Sequence, residues 1–457
     1  MNAGSAQGEG GGQAWRPAYP WYVVTLLTLA YVCSFIDRQV ITLMIGPIKQ
    51  DLGLTDTQVS YLIGLSFALF YTVFGFLIAI AADRLNRRNI ILAGILIWTV
   101  MTAACGLARS YGQLFLARMG VGFGEGALSP SALSMITDYF PRERLGRAIA
   151  VYSTGIAIGS GIALLVGGTV IELVSGTETV TLPLIGALRP WQAAFVLVSL
   201  PGLPIALLML TVREPRRHGP TSRAHPGTGD WSLRPALAHL SANWRTYSGI
   251  YFGMSVLTIM AYGIIGWIPE HFRRSYDWSI GQVSLWYGLI LIVFGPLGAF
   301  VGGWLADRWS RQYDDGYLRA GLAGVALLFP GYALFALMPS PWLSLALLVP
   351  ASVGGAMPTT IASAALMRVA PSDMRATVSA LFYFVISIVG LGVGPTSVAA
   401  LTDYYFRDES MLRYSIAVVA VAAGLAALAI LAWARPHFGA SVAASRLAGE
   451  GGPGSHG

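Results

Sequence analysis

The chain has 457 residues, of which 55% are hydrophobic and 11% charged, and 29 Lys plus Arg against 22 Asp plus Glu give a formal net charge of +7. Soluble domains average about 25% charged residues, so lipid rather than water is the main solvent, and the apolar runs are too long and too weakly alternating for barrel strands. The basic residues punctuate apolar runs instead of forming a patch, which argues for membrane topology and against nucleic-acid binding. Cys33 and Cys105 both fall inside apolar runs, which argues for buried thiols rather than a disulfide framework or a metal site.

The first twenty residues are Gly-rich and polar and read as a disordered tail, with no cleavable signal peptide, because the first apolar run is itself span-length. Six apolar runs follow, roughly Trp21 to Ile48, Asp56 to Ala82, Asn89 to Ala108, Tyr111 to Tyr139, Glu143 to Leu173 and Trp191 to Val212. Six more run from Tyr247 to His271, Ile280 to Ala306, Leu318 to Leu337, Trp342 to Val369, Ser372 to Leu401 and Met411 to Ala434. Between the sets, Arg213 to Pro235 is rich in Arg, Pro and Gly and reads as a solvated linker. The expected organisation is a tail over 1–20, a six-helix bundle over 21–212, a linker over 213–246, a second bundle over 247–434 and a tail over 435–457.

Placing both termini and the linker on one side gives that side 20 Lys plus Arg and the other side 7; the remaining two, Arg38 and Arg118, lie within the spans. The positive-inside rule makes the richer side the cytoplasm. The halves also repeat. ADRLNRR at Ala82 to Arg88 follows the second span, and ADRWSRQ at Ala306 to Gln312 follows the eighth, so Asp83, Arg84 and Arg87 recur as Asp307, Arg308 and Arg311. PRE at Pro141 to Glu143 and PSD at Pro371 to Asp373 echo at a near-equal offset, which implies duplicated halves about an axis normal to the membrane.

Twelve spans in two halves, each with a DRxxR loop, resemble the major facilitator superfamily over about residues 20 to 435. The first loop is degenerate, with Ala79 where a Gly is usual; Gly303 keeps that Gly in the second. Within the superfamily, SFIDRQVI on the first span and RMGVGFGEGALSPSA (Arg118 to Ala132) on the fourth are similar to the spinster-type lipid transporters, and organic-phosphate antiporters carry comparable features. The fold class expected is an all-α integral membrane protein, twelve transmembrane helices in two pseudo-symmetric six-helix bundles, and a monomer. The resemblance also implies that the first and fourth spans of each half line a central cavity.

Four charges lie inside two spans, each costing about 2.5–3.5 kcal/mol at the bilayer centre on insertion scales. Asp37 lies roughly 24 Å from the start of its span and Arg118 roughly 10 Å from the opposite surface, so the two are level in a core about 30 Å thick. Arg118 and Glu125, seven apart, share a helical face. The resemblance, by which the first and fourth spans line one cavity, implies Asp37, Arg38, Arg118 and Glu125 as the expected substrate-binding and coupling residues. The guanidiniums would bind an anionic head; Glu125, deep in the core, would exchange a proton, and Asp37 beside two guanidiniums would stay ionised until rearrangement. An interhelical clamp would account for one pair of charges by itself. The corresponding spans of the second half offer Met254, Met260, Tyr262, Trp267, Met357 and Thr359 in their interiors. One charged and one apolar wall suit an amphiphile better than a sugar.

The two DRxxR loops are expected to act as a cytoplasmic gate, with Asp83, Arg84, Arg87, Glu143, Arg147, Asp307, Arg308 and Arg311 fastening that face while the other is open. Positive-inside topogenesis accounts for the same arginines. Gly155, Gly159, Gly167 and Gly168 on the fifth span predict close helix contact, and Pro296, Pro358 and Pro395 predict kinks. The chain lacks GxxxxGK[ST], HExxH and GxSxG, so no cofactor is expected and neither ATP-driven transport nor hydrolysis has support. The function expected is a proton-coupled transporter of a lysophospholipid or sphingolipid type in the cell (inner) membrane, with membrane lipids and protons as partners. The alternatives are an organic-anion, organic-phosphate or drug antiporter, and, from another class, a transporter-like sensor or a lipid-modifying membrane enzyme.

Overall fold

In lipid the backbone must satisfy its own polar groups, and a run of twenty apolar residues does so only as a helix. A computed structural model describes residues 18–450 apart from 83, 177–178, 184, 216–233 and 372–373. Eleven helices among the described residues are long and apolar enough to cross a membrane. In chain order they are Ala18–Leu43 (span 1), Asp56–Ala82 (span 2), Arg87–Leu107 (span 3), Arg144–Ser175 (span 5), Pro190–Met209 (span 6), Trp244–Tyr276 (span 7), Ile280–Ser310 (span 8), Gly316–Leu337 (span 9), Pro341–Val369 (span 10), Thr377–Phe406 (span 11) and Glu409–Ala444 (span 12).

Span 4 completes the twelve in two pieces, Tyr111–Glu125 and Leu128–Tyr139. The break has a local cause. Proline at position i clashes with the carbonyl of residue i−4, and Pro130 therefore disrupts the helix at Gly126, directly after Glu125. Pro296, Pro358 and Pro395 sit inside the helices of spans 8, 10 and 11.

The packing is pseudo-two-fold. Span 1 packs on 5 as 7 packs on 11, span 2 on 4 as 8 on 10, and span 3 on 4 as 9 on 10. The halves join by the matched contacts of span 5 with span 8 and of span 2 with span 11. The fifth-span glycines divide between these jobs: Gly155 and Gly159 lie against Thr28 and Val32 of span 1, and Gly168 against Ser284 of span 8. Two further features depart from the expected organisation. The last helix continues to Glu450, through most of the expected tail, and Arg234–Ala242 of the expected linker is helical. A short antiparallel hairpin, Val180–Leu182 with Gly186–Leu188, links spans 5 and 6.

Ion pairs joining the two halves, among the described residues, all lie on the face opposite the linker. Lys49 Nζ reaches Asp56 Oδ1 at 2.6 Å and Glu409 Oε1 at 2.7 Å. Arg274 grips Asp56 with both Nη atoms, at 2.8 and 2.9 Å, and donates from Nε to Glu270 Oε1 at 2.6 Å. The amino terminus of span 2 begins with a capping box of Thr55 and Gln58, and Asp403 of span 11 accepts from the Thr57 N–H at 2.6 Å. Ser60 Oγ meets Thr396 Oγ1 at 3.1 Å, and Ser279 of span 8 donates to Glu172 of span 5 at 3.1 Å. This face is closed.

One turn deeper, Gly64 of span 2 presses on span 11 so closely that a Cβ there would stand 2.1 Å from the Leu391 carbonyl oxygen. Overpacking of this kind costs about 1–3 kcal/mol. Gly64→Ala is expected to raise the population open on this face by about thirtyfold at the midpoint of that range. Electron-resonance distances between spin labels on spans 2 and 11 should lengthen; an unchanged distribution would show that this contact does not set the closure.

Candidate functional site

Arg38 follows Phe35 by one helical turn on span 1 and points toward span 2, where Phe67 and Tyr71, one turn apart, are stacked at 5.1 Å. Its guanidinium carbon lies 5.1 Å from the Phe35 ring centroid and 4.6 Å from those of Phe67 and Tyr71. Three aromatic faces around a desolvated guanidinium make a cation–π cage. From within it, Arg38 Nε donates to Glu125 Oε2 at 2.5 Å. Glu125 ends the first piece of span 4, where the helix dipole is negative and disfavours an acid. The Pro130 break therefore puts a carboxylate where a cation must answer it.

Arg118 is answered differently. Its Nε donates to the Leu62 carbonyl at 3.2 Å and its Nη1 to the Asp37 carbonyl at 3.3 Å. Leu62 belongs to a π-helical turn, Tyr61–Leu65, in which the Ser66 N–H bonds back to Tyr61. The shifted ladder there leaves a carbonyl for the guanidinium, a use to which π-bulges are often put. Asp37 and Arg118 are thus neighbours, but the contact runs through the main-chain oxygen of Asp37 and not through its carboxylate. Two buried carboxylate oxygens, Asp37 Oδ1 and Glu125 Oε1, have no hydrogen-bond partner among the described residues.

The structure brings the four charges together yet exposes them unequally. The Arg38 side chain is 19% exposed and that of Glu125 is sealed; Asp37 and Arg118 are each 1% exposed. Arg118, expected to share headgroup binding, is closed to a ligand in this conformation because two carbonyls hold it. Beside Arg38, Tyr31 stacks on Tyr152 at 5.0 Å, and the Tyr152 hydroxyl lies 3.2 Å from Ser129 Oγ. Tyr262, from the second half, lies within electrostatic reach of Arg38 and Tyr71 and is 41% exposed.

The expected apolar wall needs correction. Met254, Met260, Trp267 and Met357 are buried in helix packing, Trp267 by donating its indole N–H to the Pro395 carbonyl. Composition could not distinguish a side chain facing the cavity from one turned into its own bundle. The side chain of Thr359 lies outside the described residues.

On the linker face, Asp83 and the side chain of Glu143 also lie outside the described residues. Arg87 bonds Asp138 at 2.5 Å and Glu214 at 2.7 Å, both within its own half. Arg84, Arg147, Asp307, Arg308 and Arg311 are exposed, and Arg308 lies over the Trp304 ring. Sequence reasoning missed the closed-face network and the aromatic cage. The TDTQ capping box before span 2, the acid and arginines of PEHFRR ending span 7, and the aromatic spacing of Phe67 and Tyr71 were the available signals.

Two pseudo-symmetric six-helix bundles, joined on one membrane face and with a charged centre on spans 1, 2 and 4 of the first, have the architecture of a membrane transport protein. A family model described as Major Facilitator Superfamily matches residues 27–395, and the chain belongs to that superfamily. The fold matches a bacterial homolog of the human lysosomal transporter Spinster, solved inward-facing and unoccupied, with a TM-score of 0.77 and 26% identity over 96% of this chain and 100% of that one. Among proteins of known description, it is 28% identical over 397 residues to an MFS-type efflux pump of Mycolicibacterium smegmatis, covering 86% of each chain. It is 24% identical over 427 residues to a hexuronate transporter of Bacillus subtilis, covering 91% of this chain and 95% of that one.

Breaking a buried ion pair on one side costs about 3–5 kcal/mol, whereas replacing both partners with apolar groups is often neutral. Arg38→Met alone is therefore expected to lower thermal stability in detergent strongly, and Arg38→Met with Glu125→Leu to recover most of the loss. Losses that simply add would show that the two side chains do not depend on each other.

Proposed function

We propose that this chain is a secondary active transporter of an amphipathic anion, lysophospholipid or sphingolipid in type, working by alternating access and coupled to protons through Glu125 and Asp37. The observation that carries this reading is the Arg38–Glu125 pair, 2.5 Å long, with Arg38 open on one side and Glu125 Oε1 without a donor among the described residues. An anionic head and the Glu125 carboxylate compete for one guanidinium. A proton on Glu125 neutralises that competitor, gives the orphan oxygen a hydrogen, and frees Arg38 for the head; loss of the proton restores the ion pair and expels the ligand. Asp37, whose Oδ1 has no partner among the described residues, is the second proton site. The Phe35, Phe67 and Tyr71 rings, with Tyr31 and Tyr262 nearby, provide apolar surface beside the charge.

With the basic-rich linker face placed in the cytoplasm of an inner membrane, the closed face is the outer one. The next half-cycle would part Asp56 from Arg274 and fasten the DRxxR gate of Asp83, Arg84, Arg87, Glu143, Arg147, Asp307, Arg308 and Arg311 inside. The protein carries out this cycle as a monomer.

A second reading, an organic-anion, organic-phosphate or drug antiporter, draws on the hexuronate and efflux descriptions of the relatives. It uses the same head recognition for a smaller cargo. Flux in proteoliposomes with an imposed pH gradient separates the two: lysophospholipid movement supports the first, exchange of a small organic acid or phosphate ester without it supports the second, and binding without flux indicates a sensor. Glu125→Gln is expected to abolish the response of transport to the pH gradient while the protein stays folded. A response equal to the parent's would remove Glu125 from the proton path.

A further inference from the structure

Far from the charged centre, where span 8 gives way to span 9 on the linker face, Trp309, Tyr313, Arg319, Leu322 and Arg435 line a cavity of about 370 Å³. Two of its walls are guanidiniums that share one acid. Asp315 Oδ1 accepts from Arg319 Nε at 2.7 Å, and Asp315 Oδ2 lies 3.1 Å from Arg435 Nε. The neighbouring acid, Asp314, is taken by Arg446 at 2.9 Å. The cluster around Asp315 thus keeps a positive excess, and the Nη atoms of Arg319 and Arg435 have no acceptor among the described residues. Arg319 is also fixed in orientation, its guanidinium carbon 3.8 Å from the Tyr313 ring centroid. Its side chain is 34% exposed and that of Arg435 46%, so both reach the cavity without being lost in solvent.

We propose that this cavity binds a phosphate ester. Planar guanidinium forks match the oxygens of a phosphate in pairs. Here one carboxylate holds both forks by their Nε edges and leaves the Nη edges for such a group. Trp309 and Leu322 supply an apolar side for the rest of the ester. Trp and Tyr at the end of a span mark the depth of lipid headgroups, and Leu322 lies roughly 9 Å into span 9 from its first residue. The cavity therefore opens at the level where an anionic phospholipid of that leaflet carries its phosphate; a soluble organic phosphate has the same chemistry. The site uses none of the residues that bind cargo in the transport cycle, so the proposal stands apart from the identity of that cargo.

The test uses the full chain, delipidated in detergent and then offered phosphatidylglycerol or phosphatidylcholine, with retention read by native mass spectrometry. Glycerol 3-phosphate, scored by the rise in melting temperature, is the soluble arm. Phosphatidylglycerol is expected to be retained over phosphatidylcholine, and Arg435→Gln to reduce that retention about tenfold, the loss of roughly one charge-assisted hydrogen bond. Leu322→Trp, which keeps every charge and fills the cavity, should reduce it too, so that failure of one variant to fold leaves the other decisive. Stabilisation by glycerol 3-phosphate, lost in Arg435→Gln, would assign the same site to a soluble ester. Equal retention of both lipids by the parent and both variants, with no effect of glycerol 3-phosphate, would overturn the proposal.

Discussion

An arginine in the middle of a membrane cannot shed its proton, and the centre of this protein is organised by how two such residues are answered. Arg38 receives a carboxylate and three aromatic faces; Arg118 receives two main-chain carbonyls. These are different kinds of answer. Carbonyls have a fixed partial charge, so Arg118 is held whatever the protonation of its surroundings. A carboxylate can be neutralised, so the hold on Arg38 can be released. The fixed pair ties spans 1, 2 and 4 together and gives the releasable pair a rigid frame in which to act.

Span 2 joins that centre to the closed face. Over its first four turns it offers Asp56 and Thr57 to the second half, Leu62 to Arg118, Gly64 to the backbone of span 11, and Phe67 and Tyr71 to Arg38. The π-helical turn lies in the middle of this series. Movement of span 2 away from span 11 therefore breaks the ion pairs at the surface while the cage around Arg38, built on spans 1, 2 and 4 alone, travels with span 2.

Much of this was legible in the sequence. Span count, the linker and the duplication follow from apolar run lengths and the recurrence of DRxxR, which are one-dimensional signals. The family resemblance implies that Asp37, Arg38, Arg118 and Glu125 share one cavity; rise per residue sets Asp37 level with Arg118, since depth in a bilayer is a one-dimensional coordinate too. Rotation about a helix axis is not. That is why Met254, Met260 and Trp267 could be placed at the right depth and still on the wrong side of span 7. It is also why Asp37 could be set beside Arg118 while the bond turned out to be made by its carbonyl. The closed-face network was out of reach for another reason: Lys49, Asp56, Arg274 and Glu409 come from four separate segments, and each reads alone as an ordinary charged residue at the end of a helix.

The carboxylate of Asp403 caps a helix that belongs to the other half of the molecule. A lost cap removes about 0.5–2 kcal/mol from a helix terminus, so when the closed face parts, the first turn of span 2 loses support from outside at the same moment as its ion pairs. Thr55 and Gln58 belong to the same half as the helix they cap and keep their capping box however the halves stand, so the turn itself survives the parting. What the parting strands is the Asp403 carboxylate, and the bond it forfeits is part of the free energy that separates the closed face from the open one.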